Sequence, residues 1–359
     1  MKHLRRYREP TLSVLALACA ASFGCDRAPS EPASRPSSGL SSRSEAKPTV
    51  VAPAARPQPP GNDPTFRFPG AKRVIAIGDV HGDLDATRAA LRLGGAIDAR
   101  DRWIGKDLVV VQTGDQLDRG DTERRILDLF EKLTLEAKAA GGRFLPLNGN
   151  HEVMNVQGDF RYVTEGGFHE FAELAIGSPN SGRAPESERG RLAAFAPGGV
   201  YAKLLAERPT VAVVGDTLFA HGGVLPGHVE YGLGRLNAEV SAWMRGERAE
   251  LPRPMQGDDA PVWTRLYGER NPDATACDTL GRVLDALRVK RLVVGHTVQK
   301  SGINAACNER VYRIDIGLSR YYGTKPAEVL EIQGDAVKVL REKSVEPARA
   351  AAAQTVSAP

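Results

Sequence analysis

Hydrophobic residues in this chain come in short runs, and three of the runs end alike. Val74–Ile77 leads into Gly78-Asp79-Val80-His81-Gly82-Asp83. Leu108–Val111 leads into Gly114-Asp115-Gln116-Leu117-Asp118-Arg119-Gly120. Phe144–Leu147 leads into Gly149-Asn150-His151-Glu152. Each run is β-branched or bulky and bounded by glycine, which predicts a buried strand. Between the runs the apolar spacing becomes helical. Residues 83–93 set Leu84, Ala90 and Leu91 on one face, and residues 122–140 do the same with Ile126, Leu127, Leu129, Phe130 and Leu133. Gly141-Gly142 ends the second helix. The order β-α-β-α-β predicts a layered α/β fold. Each polar turn then lies at the carboxyl end of its strand, the edge where open α/β sheets place ligands.

Further on the pattern is less regular. Residues 153–208 have no sustained period and are expected to form a cap of helices and loops over the site. Runs at 210–214 and 217–220 flank Gly215-Asp216, a hairpin signal, and the second ends at His221-Gly222-Gly223. Helices are expected at 233–245 and 280–287. Arg291–Val294 then runs into Gly295-His296-Thr297. Strands at 311–316 and 329–332 are expected to close a second sheet.

The two ends of the chain read differently. A basic segment precedes an apolar stretch from Leu12 to Phe23, too short to span a bilayer. This is the pattern of an export signal. It ends at Gly24-Cys25, which resembles a lipoprotein cleavage site, with Cys19 as a second candidate. Residues 26–64 are rich in Pro, Ser and Ala and read as a disordered linker. The Ala-rich tail 343–359 reads likewise. The expected organisation is signal 1–25, linker 26–64, folded domain 65–342 and tail 343–359. The expected location is the periplasm or a lipid-anchored position on a bacterial membrane.

Apolar content of 42% and charged content of 26% suit a soluble globular domain. Much of the formal charge of +4 sits in the first ten residues, so the body lacks the basic excess of a nucleic-acid surface. The chain is expected to act as a monomer and to touch membrane only through an N-terminal lipid. Cys277 and Cys307 lie outside the signal. They suit a disulfide in an oxidising compartment or two buried thiols, and both readings stand.

The three turns deliver carboxylates, imidazoles and an amide oxygen, a donor set for divalent metals. Asp79-x-His81, Gly114-Asp115-x-x-Asp118-Arg119-Gly120 and Gly149-Asn150-His151-Glu152 resemble the signature blocks of the calcineurin-like metallophosphoesterases. Asp118-Arg119-Gly120 points to the phosphoprotein phosphatase branch. The run to Asn155, with Trp263-Thr264-Arg265 and Gly295-His296-Thr297, is most similar to the Shewanella-like protein phosphatases. Val298 stands where many relatives outside that branch carry a second histidine.

The resemblance implies a β-sandwich of two mixed sheets flanked by helices, and a site with two divalent ions. Manganese, iron or zinc would serve, manganese first. One ion would be held by Asp79, His81 and Asp115, the other by Asp115, Asn150, His221 and His296. His151 would be the general acid, oriented by Asp118. Arg119 and Arg265, with Asn150, would hold the phosphate. The implied activity is hydrolysis of phosphomonoesters by in-line attack of a bridging hydroxide. The substrate would be a phosphoprotein, with phosphoserine, phosphothreonine and phosphotyrosine all open. The alternative is a dinucleotide polyphosphate or another small phosphoester.

Overall fold

The computed structural model describes residues 63, 65–175 and 184–342. The expected signal, almost all of the linker and the tail lie outside the described residues. β1 (Arg67–Phe68), β2 (Val74–Ile77), α1 (Leu84–Leu93), β3 (Val109–Gln112), α2 (Glu123–Ala139), β4 (Arg143–Pro146) and α3 (Asn150–Gln157) come first. The next stretch holds α4 (Glu165–His169), α5 (Arg189–Phe195) and α6 (Val200–Ala206). Then follow β5 (Val211–Val214), β6 (Thr217–Ala220), α7 (Pro226–Tyr231), α8 (Leu233–Met244), α9 (Ala274–Leu287) and β7 (Arg291–Val294). β8 (Asn304–Ala306), β9 (Val311–Arg313), β10 (Glu328–Gln333) and β11 (Ala336–Arg341) complete the described chain. Among the described residues no helix is long and apolar enough to cross a membrane.

The strands form two mixed sheets, ordered β11-β10-β2-β3-β4 and β1-β5-β6-β7-β9-β8. β2, β3 and β4 run parallel, so their polar turns share one edge. β6 and β7 are parallel in the other sheet and carry the His221 and His296 turns to a common edge too. Side chains alternate across a strand. Ala212, Val214, Phe219 and Val293 accordingly pack with β2, β3 and β10, while Val211, Val213, Leu218, Ala220, Leu292 and Val294 pack under the helices. Both faces are thus buried, which explains why these strands read as unbroken apolar runs.

Several elements differ from the sequence expectation. The strand expected at 329–332 does not close the second sheet. It is β10, antiparallel to β2 in the first, with Leu330 opposite Ala76. The pairing is pinned by an Arg73–Glu331 ion pair at 2.6 Å, and an apolar run alone carries no record of its partner. β1 is two residues at a sheet edge, too short to leave a pattern. α9 begins six residues earlier than the apolar spacing suggested, because the Asp273 side chain caps it by accepting from the Ala276 amide. Cys277 of α9 and Cys307 are disulfide-bonded, joining that helix to the β8–β9 hairpin.

Candidate active site

The turns hold their side chains in unusual backbone conformations. His81, Asp115, Asp118, Arg119 and His296 all have φ between 38° and 66°. Non-glycine residues rarely adopt this region, and those that do cluster where neighbouring structure forces them. Glycine makes the turns meet. A Cβ on Gly114, at φ 100°, would lie 2.5 Å from the Gly149 nitrogen, so the Asp115 and Asn150 turns could not close on each other. Glu152 locks the same junction, accepting from the amides of Gly149, Asp115, Gln116 and Leu117.

Asp115 stands at the centre. Its Oδ1 is 3.2 Å from His221 Nε2, and its Oδ2 is 3.6 Å from His81 Nε2 and 3.7 Å from His151 Nε2. His221 Nε2 is also 2.8 Å from Asn150 Oδ1 and 3.1 Å from His296 Nδ1. The far ring nitrogens decide the tautomers, because a carbonyl can only accept. His221 Nδ1 donates to the Thr113 carbonyl, His296 Nε2 to that of Trp263, and His81 Nδ1 to that of Leu117. For neutral rings, His221 Nε2, His296 Nδ1, Asn150 Oδ1 and Asp115 Oδ1 then bring lone pairs together with no proton among them. A divalent cation satisfies that arrangement, and carbonyl-anchored imidazoles are a usual setting for metal ligands. The residues present therefore fit a metal centre.

Among the described residues, two buried groups have ligand atoms within 4.8 Å of one another: Asp115-His221-His296 and His81-Asp115-His151. The second differs from the expected Asp79-His81-Asp115. The Asp79 carboxylate is engaged by the His296 amide at 3.1 and 3.3 Å. Arg119 donates to His81 Nε2 at 2.8 Å, so ligation through that nitrogen requires the guanidinium to move off it.

Burial sets the charges. It pushes His81 down to about 3, with His151 adding to the effect, and His296 down to about 2, with His221 adding. Both are neutral imidazoles, as metal ligation needs. Asp79 is raised well above the carboxylate range by burial and by the neighbouring carboxylates Asp315 and Asp115.

His151 sits beside this centre at the start of α3. Its Nδ1 is 2.5 Å from Asp118 Oδ2, and both residues are buried. Burial would lower its pKa, yet the carboxylates of Asp115 and Asp118 raise it above the usual value. A histidine biased toward its protonated form with a free Nε2 has the properties of a general acid. Arg119 lies between Tyr162, Tyr321 and Tyr322, its guanidinium 5.2 to 5.6 Å from each ring centroid, and it hydrogen-bonds the Tyr322 hydroxyl. Arg265 is exposed and donates to the His296 carbonyl and Thr297 Oγ1, each at 3.2 Å.

Asp83, the last residue of the first motif, caps α1 and pairs with Arg320. Two further groups escaped the sequence reading. Asp315 is buried, and burial pushes it up to about 6. The fully buried Arg191 reaches Asp118 from α5.

The chain belongs to the calcineurin-like phosphoesterases, whose family model matches residues 72–300. It is 43% identical to Shewanella-like protein phosphatase 2 of Arabidopsis thaliana over 75% of this chain and 77% of that one. It is 30% identical to Shewanella-like protein phosphatase 1 of Plasmodium berghei over 75% and 74%. Among solved structures it resembles the cold-active protein-tyrosine phosphatase of a psychrophilic Shewanella, with TM-score 0.63 and 25% identity. That likeness covers 77% of this chain and 82% of the other.

Proposed function

We propose that this protein is a metal-dependent protein phosphatase acting on phosphomonoesters. The observation that carries the reading is the pairing of two devices around Asp115: a convergence of imidazole, amide and carboxylate ligand atoms, and a buried His151–Asp118 dyad beside it. Two divalent ions, when bound, would neutralise phosphate charge and activate water for in-line displacement. Asp79, His81, Asp115, Asn150, His221 and His296 would hold them. Mixed imidazole and oxygen donors suit manganese, iron or zinc, and manganese is the first to try.

In this reading His151 gives its Nε2 proton to the leaving oxygen, and Asp118 keeps the ring oriented and sustains its charge. Arg119 and Arg265 bind phosphate oxygens, for which a guanidinium fork is well shaped. The tyrosines around Arg119 favour an aromatic ester. Tyr162 is 41% and Tyr321 60% exposed, and they offer ring faces to a phosphotyrosine side chain. The sequence relatives are named protein phosphatases and the structural neighbour a protein-tyrosine phosphatase, which supports the same substrate class. Export is part of the proposal, supported by the N-terminal pattern and the Cys277–Cys307 disulfide.

The test is release of phosphate from phosphoserine, phosphothreonine and phosphotyrosine peptides and from a dinucleotide polyphosphate, with manganese and with chelator. Metal-dependent release from a peptide, fastest from phosphotyrosine, is expected. Turnover of the dinucleotide alone would overturn the protein-phosphatase reading.

A further inference from the structure

Arg191 is the largest fully buried side chain among the described residues, and it lies on α5 rather than in a sheet. A buried guanidinium is costly unless its donors are met. Here three hydrogen bonds and an ion pair meet them. Nε donates to Asn155 Oδ1 at 2.7 Å, and one terminal nitrogen donates to the Gly167 carbonyl at 3.0 Å. The other reaches Asp118 Oδ1 at 3.0 Å and Glu123 Oε2 at 2.6 Å. The rings of Phe171 and Phe195 lie 5.3 and 5.2 Å from the guanidinium carbon and exclude water.

The contacts are specific in direction. Asp118 Oδ1 also accepts from Asn155 Nδ2 at 2.9 Å, and the Asp118 amide donates to Glu123 Oε1 at 2.9 Å. One carboxylate oxygen is therefore held by Arg191 and Asn155, which leaves Oδ2 facing His151 Nδ1. Asn155 Nδ2 closes the arrangement on the His151 carbonyl at 2.9 Å. Packing alone needs no such alignment, and an apolar side chain of similar volume would fill the space.

We infer that Arg191 is a positioning residue for the proposed reaction: from α5 it fixes the Asp118 carboxylate, and through it the orientation of His151. The inference rests on the reading of His151 as general acid. It makes the placement of α5 a condition for proton delivery, because α5 cannot shift without releasing Asp118.

Leaving groups separate this role from a structural one. The p-nitrophenolate ion departs readily without a proton, whereas phenoxide needs one. His151→Asn, Arg191→Lys and Arg191→Met enzymes, loaded with manganese, would be compared on p-nitrophenyl phosphate and phenyl phosphate. Arg191→Lys is expected to lower kcat on phenyl phosphate by roughly 10-fold or more, part of the 10²–10⁴ that a positioned acid supplies. The loss on p-nitrophenyl phosphate is expected to be much smaller, with KM little changed on both. Added to Asp118→Asn, Arg191→Lys should cost nothing further, as expected for residues acting through one another.

If His151→Asn loses equally on both esters, the general-acid reading itself fails. If His151→Asn discriminates and Arg191→Lys does not, only the inference about Arg191 fails. Arg191→Met leaves buried carboxylates unpaired and is expected to lose stability, so the lysine variant carries the kinetics. A lysine variant that cannot fold either would overturn positioning in favour of a purely structural role.

Discussion

The two faces of Asp115 are built on opposite terms. Toward His221, His296 and Asn150, ring nitrogens, an amide oxygen and a carboxylate oxygen converge, and with neutral rings acceptors meet acceptors there. Toward His151 and Asp118, acceptors meet donors: Asp118 receives from Asn155 and Arg191 and is paired with His151. The first face calls for a cation from outside the chain. The second is complete within it. Damage to the first should therefore cost metal and activity, with little loss of stability beyond what the metal itself supplies, whereas damage to the second should cost catalysis or folding while metal stays bound.

The largest effect expected from breaking this contrast is His221→Ala or Asp115→Asn. Either should take phosphatase activity to background and lower the metal content found by elemental analysis. The metal-free variants should melt near the metal-free parent. A His221→Ala enzyme that keeps full metal and turnover would show that the convergence is not a metal site.

His151→Asn probes the other face. Turnover should fall by about 10² to 10⁴, the range for a lost general acid, with metal content unchanged. The experiment also decides the role of the His81-Asp115-His151 cluster. If metal leaves with His151, that residue is a ligand and the two faces are not distinct.

Metal removal should sharpen the difference further. A ligand that binds only the folded state at 100 times its Kd adds about 2.7 kcal/mol. Chelator should accordingly lower the melting temperature of the parent, by several degrees for a chain of this size, and move His221→Ala less. An equal shift in both would place the stabilising ion elsewhere.

The first face was far more legible in the sequence than the second. Its donors follow strands buried on both sides, so each is preceded by an apolar run and set off by glycine. His151 and Asp118 were visible for the same reason. Asp315 has that signal in weaker form, Ile314-Asp315-Ile316-Gly317 after β9, but the run reads equally well as the interior of one strand. Arg191 has no local signal. It lies just past a polar stretch of the sequence, and only the fold brings it against Asp118. The sheet partner of β10 was hidden likewise, since strand pairing is a long-range choice that periodicity does not encode.

Glu123, beside Arg191, gives the second face a pH signature. Burial pushes it up to about 7 from an ordinary 4.5, despite the opposing effect of Arg191. Between those values the folded protein keeps a proton that the unfolded chain has released. Unfolding then releases a proton, so stability should fall as pH rises through this window, by at most about 1.4 kcal/mol per pH unit. Metal binding has its own pH dependence. The comparison is therefore between the parent and Glu123→Gln at fixed metal, by denaturant melts from pH 4.5 to 7. The variant should have the flatter profile, and parallel profiles would mean that Glu123 does not titrate there.

The smallest effect is expected at the rim, where the second face opens to solvent. Tyr321 is 60% exposed and its ring lies 5.1 Å from that of Tyr322, edge to face. It belongs to neither the metal cradle nor the dyad, so Tyr321→Ala should spare metal content and stability. An aromatic pair contributes about 0.5–1.5 kcal/mol beyond its area. If Tyr321 stacks on a substrate ring, its loss should raise KM for a phosphotyrosine peptide a few-fold and leave kcat nearly unchanged. KM for a phosphoserine peptide should stay where it was, because that substrate brings no ring. An equal rise for both peptides would make Tyr321 a general wall of the groove. A fall in kcat instead would tie it to Arg119, the guanidinium its ring flanks, and so to the reacting phosphate.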